Sequence, residues 1–556
     1  MSKAGESGAA RHASLTAETL CGAFQITAAE RADQVAHRAF GTALEFTFGG
    51  FASRVRALAE GMHSLGVRRG DTVALMLANR PEFNLADVAA MHLGATPFSV
   101  YNTLSPEQIN QLFTNAGNRV VVTEKQFLPR VLEARTEDVR HVVLVDATER
   151  GMLTIDDVAS TRVRGFDFEA TWRAVEPDDV VTLIYTSGTT GPSKAAQLTH
   201  RSILFECRAL AAALPLRRGG RIVSYLPSAH VGDRALSHYG SSLCYGTTIV
   251  SLADLRQIAA ALVEVRPTFF GAVPRVWEKL KAGLEAAGLR DPTQLPEAGK
   301  ALVRARLGLD QCEVLITSAA PASMEVMQYF SALGLTLNEG WGMSELSCFA
   351  TMNPPDDIRM GTVGKALPGV ELKLLDDGEL LVRAPLVMKG YRGDPERTAE
   401  ALDADGWLHS GDIATIDGDG YVRIVDRKKE LIINSAGKNM SPANIELKLR
   451  AASPLIAHAV CIGDRRPYNV ALIVLDREVV ARSSGGSPPA GDALREQIAA
   501  AVEAANAGLS RVEQIKRFEI LDADWPPGGD ELTPTLKLKR RPIEAKYAAV
   551  IGRLYA

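Results

Sequence analysis

Ile184-Tyr185-Thr186-Ser187-Gly188-Thr189-Thr190-Gly191-Pro192-Ser193-Lys194 is the stretch from which the fold can be read outward. The run leading into it, Val180-Val181-Thr182-Leu183-Ile184-Tyr185, is nearly all apolar and predicts a buried strand. Hydroxyl side chains, two glycines, a proline and a lysine follow at once. Glycine lets a backbone turn sharply and present its N–H groups to an anion. The hydroxyls add donors, and Lys194 adds a positive charge on a flexible stem. Together they suit a polyphosphate. A plain strand-to-helix turn also uses Ser, Thr and Gly, but it does not need this density of hydroxyls closed by a lysine. A P-loop needs Gly-Lys-Ser/Thr at its end. Here Ser193 precedes the lysine and Ala195 follows it, so no hydroxyl stands where that loop holds magnesium.

The chain has 556 residues, too many for a single core, so two or more domains are expected. With 46% hydrophobic and 23% charged residues it has the balance of a soluble globular protein. A net charge of −4 gives no support for nucleic-acid binding. The six cysteines form no C-x-x-C pair, which argues against a zinc site or disulfide framework and fits a reducing cytoplasm. Met1 to His12 does not read as a signal peptide, and no apolar run reaches the roughly 20 residues that span a bilayer. Cytoplasmic placement is expected, with peripheral contact at the inner membrane face and a homodimer both left open. Thr72–Leu77, Val120–Thr123 and 142–145 read as strands alternating with helices, hence parallel α/β architecture with both sheet faces covered. Ser105, Pro106 and Gln108 spell a helix cap.

Further motifs follow in order. Leu226-Pro227-Ser228-Ala229-His230 ends a strand with a histidine, which alone would more often be structural. Val314–Thr317 is a strand running into Ser318-Ala319-Ala320, where small side chains let a flat ring approach the backbone. Gly340-Trp341-Gly342-Met343-Ser344-Glu345 offers an aromatic face, a hydroxyl and a carboxylate. Gly411-Asp412 and the charged run Asp426-Arg427-Lys428-Lys429-Glu430 follow. Gly437 lies beyond a short strand, and Leu532-Thr533-Pro534-Thr535-Leu536-Lys537 leads into the basic Lys539-Arg540-Arg541.

This ordered set resembles the adenylate-forming ligases, and within them the AMP-forming long-chain-fatty-acid–CoA ligases, from about Phe46 to Arg541. Departures from the family pattern are Ser193 for Pro, Ala195 for Gly, Ser318 for Gly, Trp341 for Tyr and Ser344 for Thr. The first two were expected to alter the loop's exit more than its donors. The resemblance implies an α/β multidomain fold: a large N-terminal domain of packed α/β sheets plus a β-barrel, and a small mobile α+β C-terminal domain. The expected bounds are a flexible tail over 1–14, an adenylation domain over 15–426, a hinge at 427–430 and a C-terminal domain over 431–556. It implies ligation of a long-chain acid to CoA through an acyl-adenylate, with ATP, Mg2+ and CoA as cofactor and cosubstrates. Implied catalytic residues are Lys537, Glu345 and His230. Implied nucleotide and CoA contacts are Thr186, Ser187, Gly188, Thr189, Thr190, Gly191 and Lys194; Ser318 and Ala319; Gly340, Trp341 and Ser344; Asp412 and Arg427; Lys429 at the hinge; and Gly437 on the CoA channel. Magnesium is implied on Thr186 and Glu345. Transfer to an acyl carrier protein, or a catalytically silent nucleotide-binding scaffold, are the competing readings.

Overall fold

The computed structural model describes residues 12–186, 193–435, 438–483, 491–533 and 536–556. Val180–Thr186 is a strand, and Lys194–Thr199 returns antiparallel beside it, with Thr186 opposite Lys194 and Tyr185 opposite Ala195. The hydroxyl-rich stretch therefore joins the two arms of a hairpin. Ala195, expected at the loop's exit, is a strand residue at 2% exposure, packed with Tyr185 and Phe98. Thr199 then opens the helix His200–Ala213 through a reciprocal cap with Ser202.

That hairpin forms one edge of a seven-stranded sheet. Its spatial order is Leu153–Thr154, His141–Leu144, Val120–Thr123, Thr72–Met76, Thr96–Ser99, Val180–Thr186, Lys194–Thr199, parallel except for the last pair. Its inner strands are continuous apolar runs because both faces are covered. In Thr72–Met76, Val73 and Leu75 belong to the core shared with the helices Phe48–Ser64 and Pro81–Met91. The alternate residues Ala74 and Met76 pack against the helix Pro106–Ala116 on the other side. Ser105 and Gln108 form the expected capping box on that helix.

A second sheet sets Phe269–Ala272, Val314–Thr317 and Leu337–Trp341 in parallel and adds two short antiparallel strands, Thr351–Met352 and Lys365–Ala366. A third joins Arg221–Ser224, Thr248–Ser251, Val35–Ala39 and Glu45–Thr47. The expected barrel corresponds to a four-stranded antiparallel sheet, Glu371–Leu374, Glu379–Arg383, Leu408–Ile416 and Val422–Arg427. From Ile432 on, the strands Ile456–Ile462, Asn469–Leu475 and Ile515–Leu521 pack with the helices Pro442–Ala452 and Gly491–Ala507. The two apolar clusters of this part contain no residue before Ile432. It is thus a smaller α+β body with its own core.

Two features differ from expectation. Residues 13 and 14, assigned to a flexible tail, belong to the helical turn Ala13–Thr16. Ser14 is fully buried and its hydroxyl donates to the Cys244 carbonyl. Residues 1–11 lie outside the described residues. The second feature is Gly232–Cys244, a π-helix of 13 residues. Such helices usually last a single turn. This one carries Asp233, Arg234, Ser237, His238 and Ser242 inward. Arg234 pairs with Asp87 on the helix Pro81–Met91 and also donates to the Pro97 carbonyl. His238 Nε2 lies 3.0 Å from the other Asp87 oxygen, and Asn84 Nδ2 lies 2.8 Å from His238 Nδ1. Burying two charges costs several kcal/mol per ion unless they are paired and hydrogen-bonded, and these are both. Asp87→Ala leaves Arg234 charged and buried, and is expected to cost about 3–5 kcal/mol. A fall in the urea midpoint of the variant against the parent checks this.

Candidate functional site

The hairpin register sets the first pair of groups. Thr186 and Lys194 are cross-strand neighbours at its open end, so their separation is fixed by backbone pairing. Ser187, Gly188, Thr189, Thr190 and Gly191 lie outside the described residues. The Lys194 ammonium sits 4.8 Å from the centre of the Tyr391 ring. The Tyr391 hydroxyl donates to Glu345 at 2.8 Å. The segment carrying Tyr391 is stitched to the Lys194 strand by backbone bonds from Lys389 to Gln197 and from Arg392 to Ala195, and to Glu345 by the Met388 N–H. Thr186, Lys194, Tyr391 and Glu345 thus form one connected group. Tyr391 was missed from sequence; its only signal was Gly390-Tyr391-Arg392-Gly393, which also reads as a plain turn.

Glu345 sits in a 3-10 turn, Ser344–Leu346, just after the strand Leu337–Trp341. Gly342 between them is required by crowding: a Cβ there would lie 1.7 Å from the Cys348 carbonyl oxygen. A Cβ at Gly340 would press on Met352. Trp341 stands between these glycines, 8% exposed, and its indole N–H donates to Asp412 at 2.8 Å. Asp412 is the register partner of Arg427, whose guanidinium lies 3.8 Å from its second oxygen. Burial pushes the Asp412 carboxyl up; Arg427, the Trp341 N–H and Lys537 pull it down. The Ser318 hydroxyl donates to the Gly340 carbonyl at 2.8 Å, tying the loop after Val314–Thr317 to the same strand. Ala319 next to it has φ +74°, a left-handed backbone that costs an L-residue roughly 1–2 kcal/mol. Strain of this kind persists where surroundings over-determine it, often at binding sites.

His230 is held by its own turn. Its Nδ1 accepts from the Gly232 N–H at 3.1 Å, which leaves Nε2 to carry the proton. Burial, with the nearby charge of Lys537, pushes its pKa down to about 4, so the ring is neutral near pH 7. Lys537 comes from the other body. It sits at the return of a small hairpin: Thr533 and Lys537 exchange hydrogen bonds, and Leu532 bridges Leu538. Leu536 beside it has φ +64°. Lys537 stays open to solvent, yet its ammonium is lowered in pKa, first by loss of hydration within the cleft and then by Arg427. Asp412, Glu345 and Glu430 oppose that shift. Lysine therefore faces the same space as His230, Glu345, Asp412 and Arg427.

The two bodies meet through specific polar contacts. Asp426 accepts from Ser441 at 2.5 Å and from the Ala443 N–H at 3.1 Å, capping the helix Pro442–Ala452. Arg275 pairs with Asp476 at 2.6 Å, and Arg450 with Glu278 at 3.7 Å. Lys429 is exposed between them. Of the basic run, Arg540 is taken up by Glu446 and Glu430, and Lys539 donates to the Gly529 carbonyl. Only Arg541 presents an exposed side chain. Gly437 lies outside the described residues.

Apart from these groups, a narrow, partly open cavity of about 40 Å³ lies between the π-helix and the second sheet. Ala235, Leu236 and Gly240 of the π-helix form one wall and Val314 and Ile316 of the second sheet the other. Its outer rim includes the ion pair Arg217–Glu313.

The AMP-binding enzyme family profile matches residues 24–392, and the profile of the AMP-binding enzyme C-terminal domain matches residues 429–556. The protein named "Putative fatty-acid--CoA ligase fadD11" of Mycobacterium tuberculosis is 49% identical over 451 residues, 73% of this chain and 79% of that one. The long-chain-fatty-acid–CoA ligase FadD15 of the same species is 34% identical over 553 residues, 91% of each chain. Among solved structures, the anthranilate CoA ligase AuaEII in complex with anthranoyl-AMP gives a TM-score of 0.78 at 20% identity, covering 96% of this chain and 98% of that one. ATP-bound MatB from Rhodopseudomonas palustris gives 0.76 at 22%, covering 95% and 99%. At these identities the structures show a shared fold.

One titration is exposed by the packing around the strand Leu337–Trp341. Glu339 is 7% exposed, and burial pushes its pKa up to about 7 against the Gly361 N–H that it accepts at 3.0 Å. A carboxyl raised on folding holds its proton more tightly in the native state, so its share of stability is full below about pH 4.5 and lost as pH rises through 7. Glu339→Gln keeps the acceptor and removes the titration. Relative to the parent, the variant is expected to gain up to about 3 kcal/mol between pH 5 and pH 8. Denaturant midpoints of both proteins at the two pH values check this; parallel pH dependences would contradict it.

Proposed function

This chain belongs to the AMP-binding enzyme family, and we propose that it ligates a long-chain fatty acid to CoA in two steps at one site. ATP-dependent activation first gives an acyl-adenylate and pyrophosphate; the CoA thiol then attacks the acyl carbon and AMP leaves. The observation that carries this reading is the convergence of Lys537, from the smaller body, on Glu345, Asp412, Arg427 and His230 of the larger one.

In the first step a carboxylate approaches an anionic α-phosphate. Both are negative, so donors aimed at the developing charge dominate the barrier. Lys537 supplies a mobile ammonium there, and neutral His230 an N–H with no charge of its own. Lys194 and the Thr186 hydroxyl stand at the hairpin end where the β- and γ-phosphates are taken up. Asp412 suits the two ribose hydroxyls, with Arg427 beside it. Trp341, Ser318 and Ala319 bracket a flat ring, and Ser344 offers a hydroxyl donor to phosphate. Glu345 fits a magnesium ion: among the described residues its buried carboxylate takes one side-chain hydrogen bond, from Tyr391, which leaves acceptor capacity for a hard cation. When bound with Glu345 and Thr186, the ion supplies charge neutralisation between phosphate oxygens.

We take 15–426 as the adenylation domain, 427–430 as the hinge and 431–556 as the C-terminal domain. Rotation at Lys429 would withdraw Lys537 after the first step and bring Gly437 to the CoA channel. The six free cysteines, five of them buried, support a reducing cytoplasmic setting. With Lys539 and Arg540 engaged internally, any peripheral membrane contact rests on few charges.

Carboxylate-dependent ATP–pyrophosphate exchange tests the activity, with CoA and holo-carrier protein compared as acceptors. Lys537→Ala is expected to lose about 10²–10³ in exchange rate while still converting supplied acyl-adenylate to thioester. Equal loss of both steps would remove Lys537 from its assigned role. Gly437→Leu is expected to show the reverse, with exchange near the parent rate and thioester formation blocked.

A further inference from the structure

One contact between the two bodies is used by none of this chemistry. Gly528, in the smaller body, lies directly against Thr103 of the larger one. A Cβ at Gly528 would stand 2.4 Å from the Thr103 hydroxyl oxygen and 2.6 Å from the Thr103 Cβ. Non-bonded atoms settle at about 3.5–4.0 Å, so a side chain at 528 would press the bodies apart by roughly 1 Å. Turning the Thr103 side chain brings no relief, because its Cβ is fixed by the backbone. The ion pairs Arg275–Asp476 and Arg450–Glu278 draw the bodies together and can stretch. The contact of Thr103 with Gly528 resists further approach.

Both sides of this contact are braced. The carbonyls of Asn102 and Leu104, which flank Thr103, accept from the Arg130 guanidinium at 2.5 and 3.3 Å. The Asn102 amide donates to the Leu77 carbonyl at 3.1 Å. On the other side, Gly528 has φ +79° in a turn where the Gly529 N–H donates to the Pro526 carbonyl. Trp525, buried in an apolar cluster of the smaller body, anchors that turn. The Lys539 ammonium donates to the Gly529 carbonyl and the Lys539 N–H to the Glu531 carbonyl, each at 2.8 Å. Lys539 stands two residues beyond Lys537, at the base of the small hairpin closed by Leu532 and Leu538. The turn at Gly528 and the Lys537 hairpin are therefore one unit, and a shift of Gly528 carries Lys537 with it.

We propose that the contact of Gly528 with Thr103 is a stop that sets how deeply Lys537 enters the site, which makes both of them positioning residues for the adenylation step. The inference rests on the reading of Lys537 as the ammonium of that step. A misplacement of about 1 Å can cost roughly 10²-fold in rate. A turn that served folding alone would affect both half-reactions alike.

The test compares Gly528→Ala with the parent in two assays. Carboxylate-dependent ATP–pyrophosphate exchange is expected to fall by roughly 10–100-fold, while conversion of supplied acyl-adenylate to thioester stays near the parent rate. Thr103→Gly in the same chain should restore most of the exchange. Thr103→Ala should not, because its Cβ still meets the new one. The strain of an L-residue at φ +79° is common to the single and double variants, so the rescue isolates the contact. Equal loss of both half-reactions, parent-like exchange in Gly528→Ala, or no rescue by Thr103→Gly overturns the stop. If Gly528→Ala does not fold, Gly528→Asn takes its place, since asparagine tolerates the left-handed backbone and sets its Cβ in the same position. Spin labels on cysteines introduced at the exposed Gln257 and Arg511, one on each body, read the spacing directly with ATP present. The population at the parent's spacing should shrink in Gly528→Ala and return with Thr103→Gly. Absence of exchange in the parent with every acid would instead remove the ligase reading, and the label distances would still decide the stop.

Discussion

The hydrogen bond from the Trp341 indole to Asp412 is the junction on which the site depends. It ties the end of the second sheet to the antiparallel sheet, and the same carboxylate faces Arg427, the last residue of its strand. An aspartate this buried is unfavourable as an anion unless donors and cations surround it. Trp341 comes from one sheet, Arg427 from another, and Lys537 from a different body. The carboxylate is comfortable only when all three are in place. The carboxylate proposed above for the ribose and the docking of the smaller body are thereby linked through Lys537.

The polar contacts between the bodies suit the proposed hinge. Arg275–Asp476 and Arg450–Glu278 are ion pairs with partial solvent access. Pairs of that kind contribute little each, about 0–1 kcal/mol at exposed sites. The bond from Ser441 to Asp426 is more buried and spans the proposed hinge at 427–430. The large apolar clusters stop short of the joint on either side. The hinge proposed at 427–430 calls for a closed state that can be left within one cycle, and a few polar contacts suit that better than an apolar seam.

Much of this was legible in the sequence because the chemistry is local. The strands Val120–Thr123 and Val314–Thr317, the cap at Ser105 and the helix at Pro442 follow from patterns a few residues long. Trp341, Glu345, Asp412, Arg427 and Lys537 were each marked by their neighbours, and the structure brings them around one cleft. What sequence could not show depends on contacts between remote segments. Tyr391 matters through Lys194 and Glu345, both distant in the chain. The π-helix over Gly232–Cys244 pairs its buried Arg234 and His238 with Asp87 and Asn84, remote residues that its own sequence does not announce. Ala195 was misplaced for a related reason: glycine-rich composition marks a loop, but only pairing with Tyr185 tells where that loop ends.

Placing Ala195 in a strand changes what the hairpin can tolerate. Thr186 and Lys194 are spaced by a backbone ladder anchored in the core, and alanine at 195 stiffens that ladder relative to glycine by roughly 0.5–1 kcal/mol. The two ends of the connector are therefore fixed by strand pairing. Exchanges within the connector, such as Ser193 beside the second strand, leave the pairing of Thr186 with Lys194 in place. The hairpin works as a socket, in which the connector is replaceable and the pins are not.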